Sequence, residues 1–154
     1  MTMTLAPPPR DWAAPPRDDD HDRASDGILL TGATGFVGME LLARYLQLTD
    51  RTVFVLIRAD DDEHALARLR ETLLCALGVD EPYLHRVRAL AGDITRDGLG
   101  LDPDVAIEVA GEISEIVHGA ASVSFELALE ASRAINVEGT SRMLAFAELC
   151  RLRG

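Results

Sequence analysis

Leu29-Leu30-Thr31-Gly32-Ala33-Thr34-Gly35-Phe36-Val37-Gly38 is the stretch that decides the fold of this 154-residue chain. The apolar run Ile28 to Leu30 reads as the centre of a buried first strand, Gly27 to Thr31, that stops at Gly32, and an amphipathic helix begins near Phe36. Gly32 permits a tight turn and a close approach of backbone to a pyrophosphate. Gly35 leaves the helix N-terminus bare of a Cβ, so free N–H groups can face phosphate oxygens, and Gly38 lets the helix lie against its own strand. The spacing is G-x-x-G-x-x-G. Three glycines alone are a weak signal, but a strand before them and a helix after them favour a dinucleotide loop over a glycine-rich turn that binds nothing.

Working outward, the helix carries Val37, Leu41, Leu42, Tyr45 and Leu46 at helical spacing, with Thr34 placed to cap it. Thr52 to Ile57 is a continuous apolar run rich in β-branched residues, as expected of a parallel strand covered on both faces, and it closes a right-handed βαβ unit. The residue at the end of that second strand discriminates between cofactors: an acid accepts from the ribose 2′-hydroxyl of NAD, whereas an arginine suits the 2′-phosphate of NADP. Arg58 stands there, twenty residues after Gly38, and favours NADP. Asp60, Asp61 and Asp62 read as the loop and the N-terminal charge of the next helix, which carries Leu66, Leu69, Leu73 and Leu77. Arg68 on that helix is either a second phosphate clamp or a solvated surface arginine.

Val87 to Ala91 is a third strand running into Gly92-Asp93-Ile94-Thr95, where Asp93 either accepts from an adenine amino group or is an ordinary turn aspartate. Asp102-Pro103 starts a helix with Val105 and Val109 facing inward. Glu115 to Ala121 gives a fourth strand ending in small residues, which let the nicotinamide-ribose half of a cofactor lie against the backbone. The last helix runs from about Asn136, with Gly139, Met143, Phe146, Ala147 and Cys150 as its stripe. The expected fold is α/β, a Rossmann-type doubly wound parallel sheet, incomplete at about four strands in the order 3-2-1-4.

Composition bounds the function. An apolar content of 47% describes a globular chain, and a net charge of −11 argues against nucleic acid as the main partner. No apolar run approaches membrane-spanning length, and no signal-type apolar segment opens the chain. Cys75 and Cys150 lie in apolar helical patterns and read as reduced thiols in a cytoplasmic core. Residues 1–26, rich in proline and aspartate, read as a disordered tail or linker in which Trp12 is a stray aromatic, and residues 27–154 as the N-terminal part of a NAD(P)-binding domain. No histidine and cysteine grouping has metal-ligand spacing. His21 lies in the tail, His64 and His85 on the surface, and His118 is packed on the fourth strand. Ser122 and Ser124 lack a nearby base and read as cofactor-side polar contacts.

Taken together, Thr31 to Gly38, Val55-Leu56-Ile57-Arg58-Ala59, Gly92-Asp93-Ile94-Thr95 with Leu99-Gly100-Leu101, Ile116 to Phe125, and Asn136-Val137-Glu138-Gly139-Thr140 resemble the thioester-reductase or male-sterility group of extended short-chain dehydrogenases/reductases. The likeness covers roughly residues 27 to 150. It implies NADPH-dependent reduction of an acyl thioester, held on coenzyme A or a carrier protein, to an aldehyde or alcohol. It also implies that Gly32, Gly35 and Gly38 meet the pyrophosphate, Arg58 the 2′-phosphate and Asp93 the adenine. Thr34, Phe36, Val37 and Ile94 join this cofactor set, Ala120 and Ala121 line it, and Asn136 supports the site. Gly119 departs from the asparagine often found at its position. The group's chemistry also needs a Tyr-x-x-x-Lys pair, and all 15 basic residues here are arginine, so the pair is absent and no catalytic residue is assigned. The readings that follow are the cofactor-binding part of a thioester reductase, a non-catalytic nucleotide-binding or interaction module, or an inactive truncated product. A fourth strand with an open edge further implies self-association.

Overall fold

The computed structural model describes residues 26–78 and 82–153. Trp12 and His21, with nearly all of the expected tail, lie outside the described residues. Four short strands, β1 (Gly27–Thr31), β2 (Val53–Ile57), β3 (Val87–Ala91) and β4 (Ile113–His118), form one sheet in the order β3-β2-β1-β4. All three pairings are parallel; Leu29 lies opposite Phe54 on one side and Ile116 on the other. This is the doubly wound order expected from the sequence.

Every residue of β1 and β2 is buried, because helices cover both faces. On one face Leu29, Phe54 and Leu56 pack beneath α3 (Pro103–Glu112) and α5 (Gly139–Arg153) through Ala106, Val109, Met143 and Phe146. On the other face Ile28, Leu30, Val53 and Val55 pack beneath α1 (Phe36–Leu48) and α2 (Asp62–Leu77) through Leu42, Leu46, Leu69 and Leu73. Asp61 caps α2 by accepting from the His64 amide at 2.8 Å, with Asp62 and Glu63 in the first turn, as the acidic run suggested. Asp102 likewise caps α3, accepting from the Asp104 amide at 2.9 Å.

Several expectations are corrected. Thr34 does not cap α1: the N-cap residue is Gly35, with no side-chain cap bond. Leu42, Leu46, Leu69, Leu73 and Val109 are buried as expected, but the first inward position of each of α1, α2 and α3 falls on a neighbouring residue. Val37 is exposed and Gly38 buried, Leu66 is exposed and Ala65 buried, and Val105 is exposed and Ala106 buried. Thr52 precedes β2 instead of belonging to it. β4 ends at His118, so Gly119, Ala120 and Ala121 form a loop. Cys75 is exposed, whereas Cys150 is buried and its thiol is pushed up to about 11 by that burial. The last helix is preceded by a short α4 (Leu129–Arg133) and a π turn, Ala134–Glu138, that contains Asn136.

Candidate cofactor site

At the C-terminal ends of β1 and β4 the chain is packed to the limit of what glycine allows. Gly32 has φ +78°, and a Cβ there would stand 2.5 Å from the Gly119 carbonyl carbon. A Cβ on Gly38 would stand 2.1 Å from the Gly32 oxygen. The Gly35 amide donates to that oxygen at 2.9 Å, closing the turn. The first turn of α1 therefore sits directly on the β1 exit. It carries no acidic side chain and no side-chain cap, so the N–H groups of Phe36, Val37 and Gly38 and the positive end of the helix stay open to an anion. Thr34, Phe36 and Val37 are exposed around this mouth. A glycine cradle whose Cβ positions are filled by backbone, under an uncapped helix N-terminus, fits a pyrophosphate.

A cleft of about 700 Å³ opens beside it, at the C-terminal ends of β2 and β3. Arg58, Arg68, Arg96, Asp60, Glu71 and Asp93 all line it, so Asp60, expected only as loop and helix-start charge, faces the cleft as well. Arg58 is exposed directly after β2. The guanidinium of Arg68 donates to the Arg58 carbonyl, so one arginine fixes the backbone that presents the other. Asp93 accepts at one carboxylate oxygen, Oδ1, from the Thr95 amide at 2.8 Å and the Thr95 hydroxyl at 2.7 Å. Burial opposes its charge, but those two bonds and the Arg58 and Arg96 guanidiniums outweigh burial and hold its carboxyl below the usual carboxylate range. The Asp93 amide donates to the Leu99 carbonyl at 2.7 Å. Leu99 takes the left-handed φ of 61° between Gly98 and Gly100 and is fully buried, an anchor that offsets its backbone strain. Ile94 is a core side chain, with Gly139 packed against it: a Cβ on Gly139 would stand 3.0 Å from Ile94 Cδ1.

Across the loop that follows β4, Asn136 grips the main chain of Ser122 from both sides. Its Oδ1 accepts from the Ser122 amide at 2.8 Å and its Nδ2 donates to the Ser122 carbonyl at 2.9 Å. Asn136 thus fixes the loop that holds Ala120 and Ala121. The Ser122 hydroxyl is 3.4 Å from the Ser124 amide, an arrangement local to that loop. Sequence reasoning singled out Arg58 but missed Arg96 and left Arg68 open; their proximity is a tertiary fact, with no spacing along the chain to announce it. It also missed the Thr31–His118 pair, 2.7 Å apart, which joins β1 to β4 at the same end of the sheet.

A parallel sheet, a glycine turn over a helix N-terminus and a charged cleft at the strand ends, lined by three arginines and three carboxylates, define a dinucleotide-binding domain of the Rossmann class. The chain belongs to the male sterility protein family, an NAD-binding family that matches residues 30–153. A linear gramicidin synthase from Brevibacillus parabrevis is 40% identical over 119 residues, which are 77% of this chain and 2% of that protein. Isonitrile lipopeptide synthase from Streptomyces coeruleorubidus is 38% identical over 131 residues, 82% of this chain and 9% of that protein. The crystal structure of the terminal R domain from the myxalamid PKS-NRPS biosynthetic pathway superposes with a TM-score of 0.73 at 36% identity, covering 79% of this chain and 31% of that one. The chain therefore spans a minor part of the relatives it matches.

Proposed function

We propose that this chain binds NADP(H) in preference to NAD(H) and forms the cofactor-binding part of an enzyme that reduces acyl thioesters on coenzyme A or a carrier protein. The observation that carries the cofactor choice is the cleft at the ends of β2 and β3. Three arginines, Arg58, Arg68 and Arg96, line it beside Asp60, Glu71 and Asp93, of which Asp93 is engaged by Thr95. A ribose 2′-phosphate carries charge that arginine forks match, whereas a bare ribose hydroxyl asks for an acid in their place. In this reading Gly32, Gly35 and Gly38, with the N–H groups of Phe36 and Val37, hold the pyrophosphate beside Thr34. Asp93 and Ile94 border the adenine, and Ala120, Ala121 and Asn136 support the nicotinamide half. The bound dinucleotide supplies a hydride.

The thioester substrate follows from family membership and from the relatives, two of which are named as gramicidin and lipopeptide synthases and one as an R domain. The 154 residues contain no lysine, so the Tyr-x-x-x-Lys proton donor implied by the family resemblance is not among them. That observation favours one second reading, in which these residues act as a nucleotide-binding module and do not turn over substrate by themselves.

Calorimetric titration of the purified chain with NADPH and NADH, beside an Arg58→Ala variant, tests the cofactor assignment. NADPH is expected to bind more tightly, and the variant to lose about tenfold or more of that advantage while NADH is little changed. Equal affinities in both proteins would overturn the assignment.

A further inference from the structure

Thr31 is fully buried, yet its hydroxyl is used twice: the Ala120 amide donates to it at 3.2 Å, and His118 Nδ1 lies 2.7 Å away. The proton arrangement follows by elimination. If Nδ1 carried a hydrogen, the buried Thr31 oxygen would accept two bonds and its own proton would have no acceptor among the described hydrogen bonds. The low-energy arrangement has Thr31 donating to Nδ1, which places the imidazole hydrogen on Nε2. Nε2 faces the Thr140 hydroxyl at 3.4 Å, and that hydroxyl donates onward to the Asn136 carbonyl at 2.8 Å. The chain Ala120 N–H, Thr31 O–H, His118, Thr140 O–H, Asn136 C=O then runs in one sense, each bond polarising the next.

We infer that neutral His118, as its Nε2–H tautomer, is a positioning residue that fixes the Gly119–Ser122 loop against the glycine turn and so sets the cofactor affinity. The relay begins at the loop amide of Ala120. It ends at the main chain of Asn136, whose side chain holds Ser122. Gly119 is the residue against which Gly32 packs. His118 therefore ties the end of β1, which leads into the glycine turn, to α5 across the loop that holds Ala120. Burial also pushes its imidazole below the ordinary value, which agrees with a ring that works uncharged.

This inference rests on the dinucleotide-binding reading above, and the experiments separate the two. Nitrogen-15 spectra of the imidazole in the 154-residue chain at neutral pH are expected to show the Nε2–H tautomer; an Nδ1–H tautomer or a cation would overturn the inference. NADPH titration is then run on the wild-type chain, His118→Leu and His118→Asn, with thermal melting of each. The leucine variant keeps bulk but strands the Thr31 hydroxyl, and about a tenfold loss of affinity is expected. Asparagine offers an acceptor near the Nδ1 position and is expected to recover most of that loss. Wild-type affinity in a folded His118→Leu chain refutes the positioning role while leaving the cofactor reading intact. Failure of the wild-type chain to bind NADPH refutes the cofactor reading, and the role assigned to His118 falls with it. Should His118→Leu not fold, Thr140→Val at the exposed end of the relay takes its place; a measurable loss of affinity is expected, and none would overturn the inference.

Discussion

Replacing Gly38 by alanine tests how closely α1 approaches the turn it follows. The new methyl would meet the Gly32 oxygen at 2.1 Å, the Gly32 carbonyl carbon at 2.6 Å and the Ala33 Cα at 2.9 Å. Ordinary contact for such atoms lies near about 3.5 Å, so α1 must withdraw by roughly 1 Å. All three neighbours are backbone and cannot turn aside, which puts the cost near the top of the overpacking range, about 3 kcal/mol. For a folded region of this size that corresponds to a fall in melting temperature of roughly 10 °C. The withdrawal also carries the helix N-terminus away from the phosphate position. An interaction of that kind contributes up to about 2 kcal/mol, so NADPH affinity should fall by about tenfold or more. Gly111→Ala is the control. Gly111 lies in α3 with nothing within 4 Å of its Cβ position, and alanine there should stabilise by about 0.5–1 kcal/mol and leave binding alone. Differential scanning calorimetry and calorimetric titration read both effects. A Gly38→Ala chain with wild-type melting and wild-type affinity would refute the close approach and the phosphate site built on it.

Arg51 is nearly buried and holds Glu115 at 2.5 Å, Asp26 at 2.8 Å and the Ser114 hydroxyl at 2.8 Å. Arg51→Ala should cost about 1–2 kcal/mol in urea denaturation, because part-exposed Glu115 loses that guanidinium while keeping the Tyr45 hydroxyl, and a cost below about 0.5 kcal/mol would refute the clamp. His118 binds a proton less readily in the folded chain than its ordinary value near about 6.5 allows. The unfolded chain therefore takes up protons first as pH falls, and stability should drop below roughly pH 6.5, in a component absent from His118→Asn. Urea midpoints between pH 5 and 8 that are identical in the two proteins would refute that linkage. β4 is an outer strand of the sheet, with no partner on its far side among the described residues. Light scattering of the purified chain should show self-association through that edge, and a monodisperse monomer would refute it.

The strands and their order were legible because each is a compact apolar run and the glycine turn orients the first crossover. β1 and β3 begin and end where the sequence placed them. The helix faces were legible at Leu42, Leu46, Leu69, Leu73 and Val109, and one small inward residue per helix was missed for a physical reason. Reading for the large apolar side chain picks Val37, Leu66 and Val105, but the residues against the sheet are Gly38, Ala65 and Ala106. A helix lying close to a sheet needs a small residue at the contact, so the larger neighbour is turned outward. The glycine turn and Arg58 were legible in the same local way. The meeting of Arg58 with Arg68 and Arg96 was not, since three segments converge only after β2, β3 and α2 have packed. The π turn at Asn136 left no trace in the apolar pattern, because its signature is one side chain bonding the Ser122 main chain.

The two ends of the sheet divide stability from binding, and that division can be measured. Arg51 ties the start of β1 to the start of β4, accepting nothing and donating to Asp26, Gly27, Ser114 and Glu115. At the opposite end Arg58 is exposed, and its place in the cleft is fixed through its carbonyl by Arg68 and not through its own guanidinium. A side chain whose head group is hydrogen-bonded into the structure contributes to folding; one held by its backbone, its head engaged only electrostatically by Asp93, remains available to a ligand. Arg51→Ala should therefore lower the melting temperature with little change in NADPH affinity per folded molecule, and Arg58→Ala should do the reverse. If Arg58→Ala instead destabilises the chain as much as Arg51→Ala, its guanidinium is structural and the case for a 2′-phosphate site at the end of β2 fails.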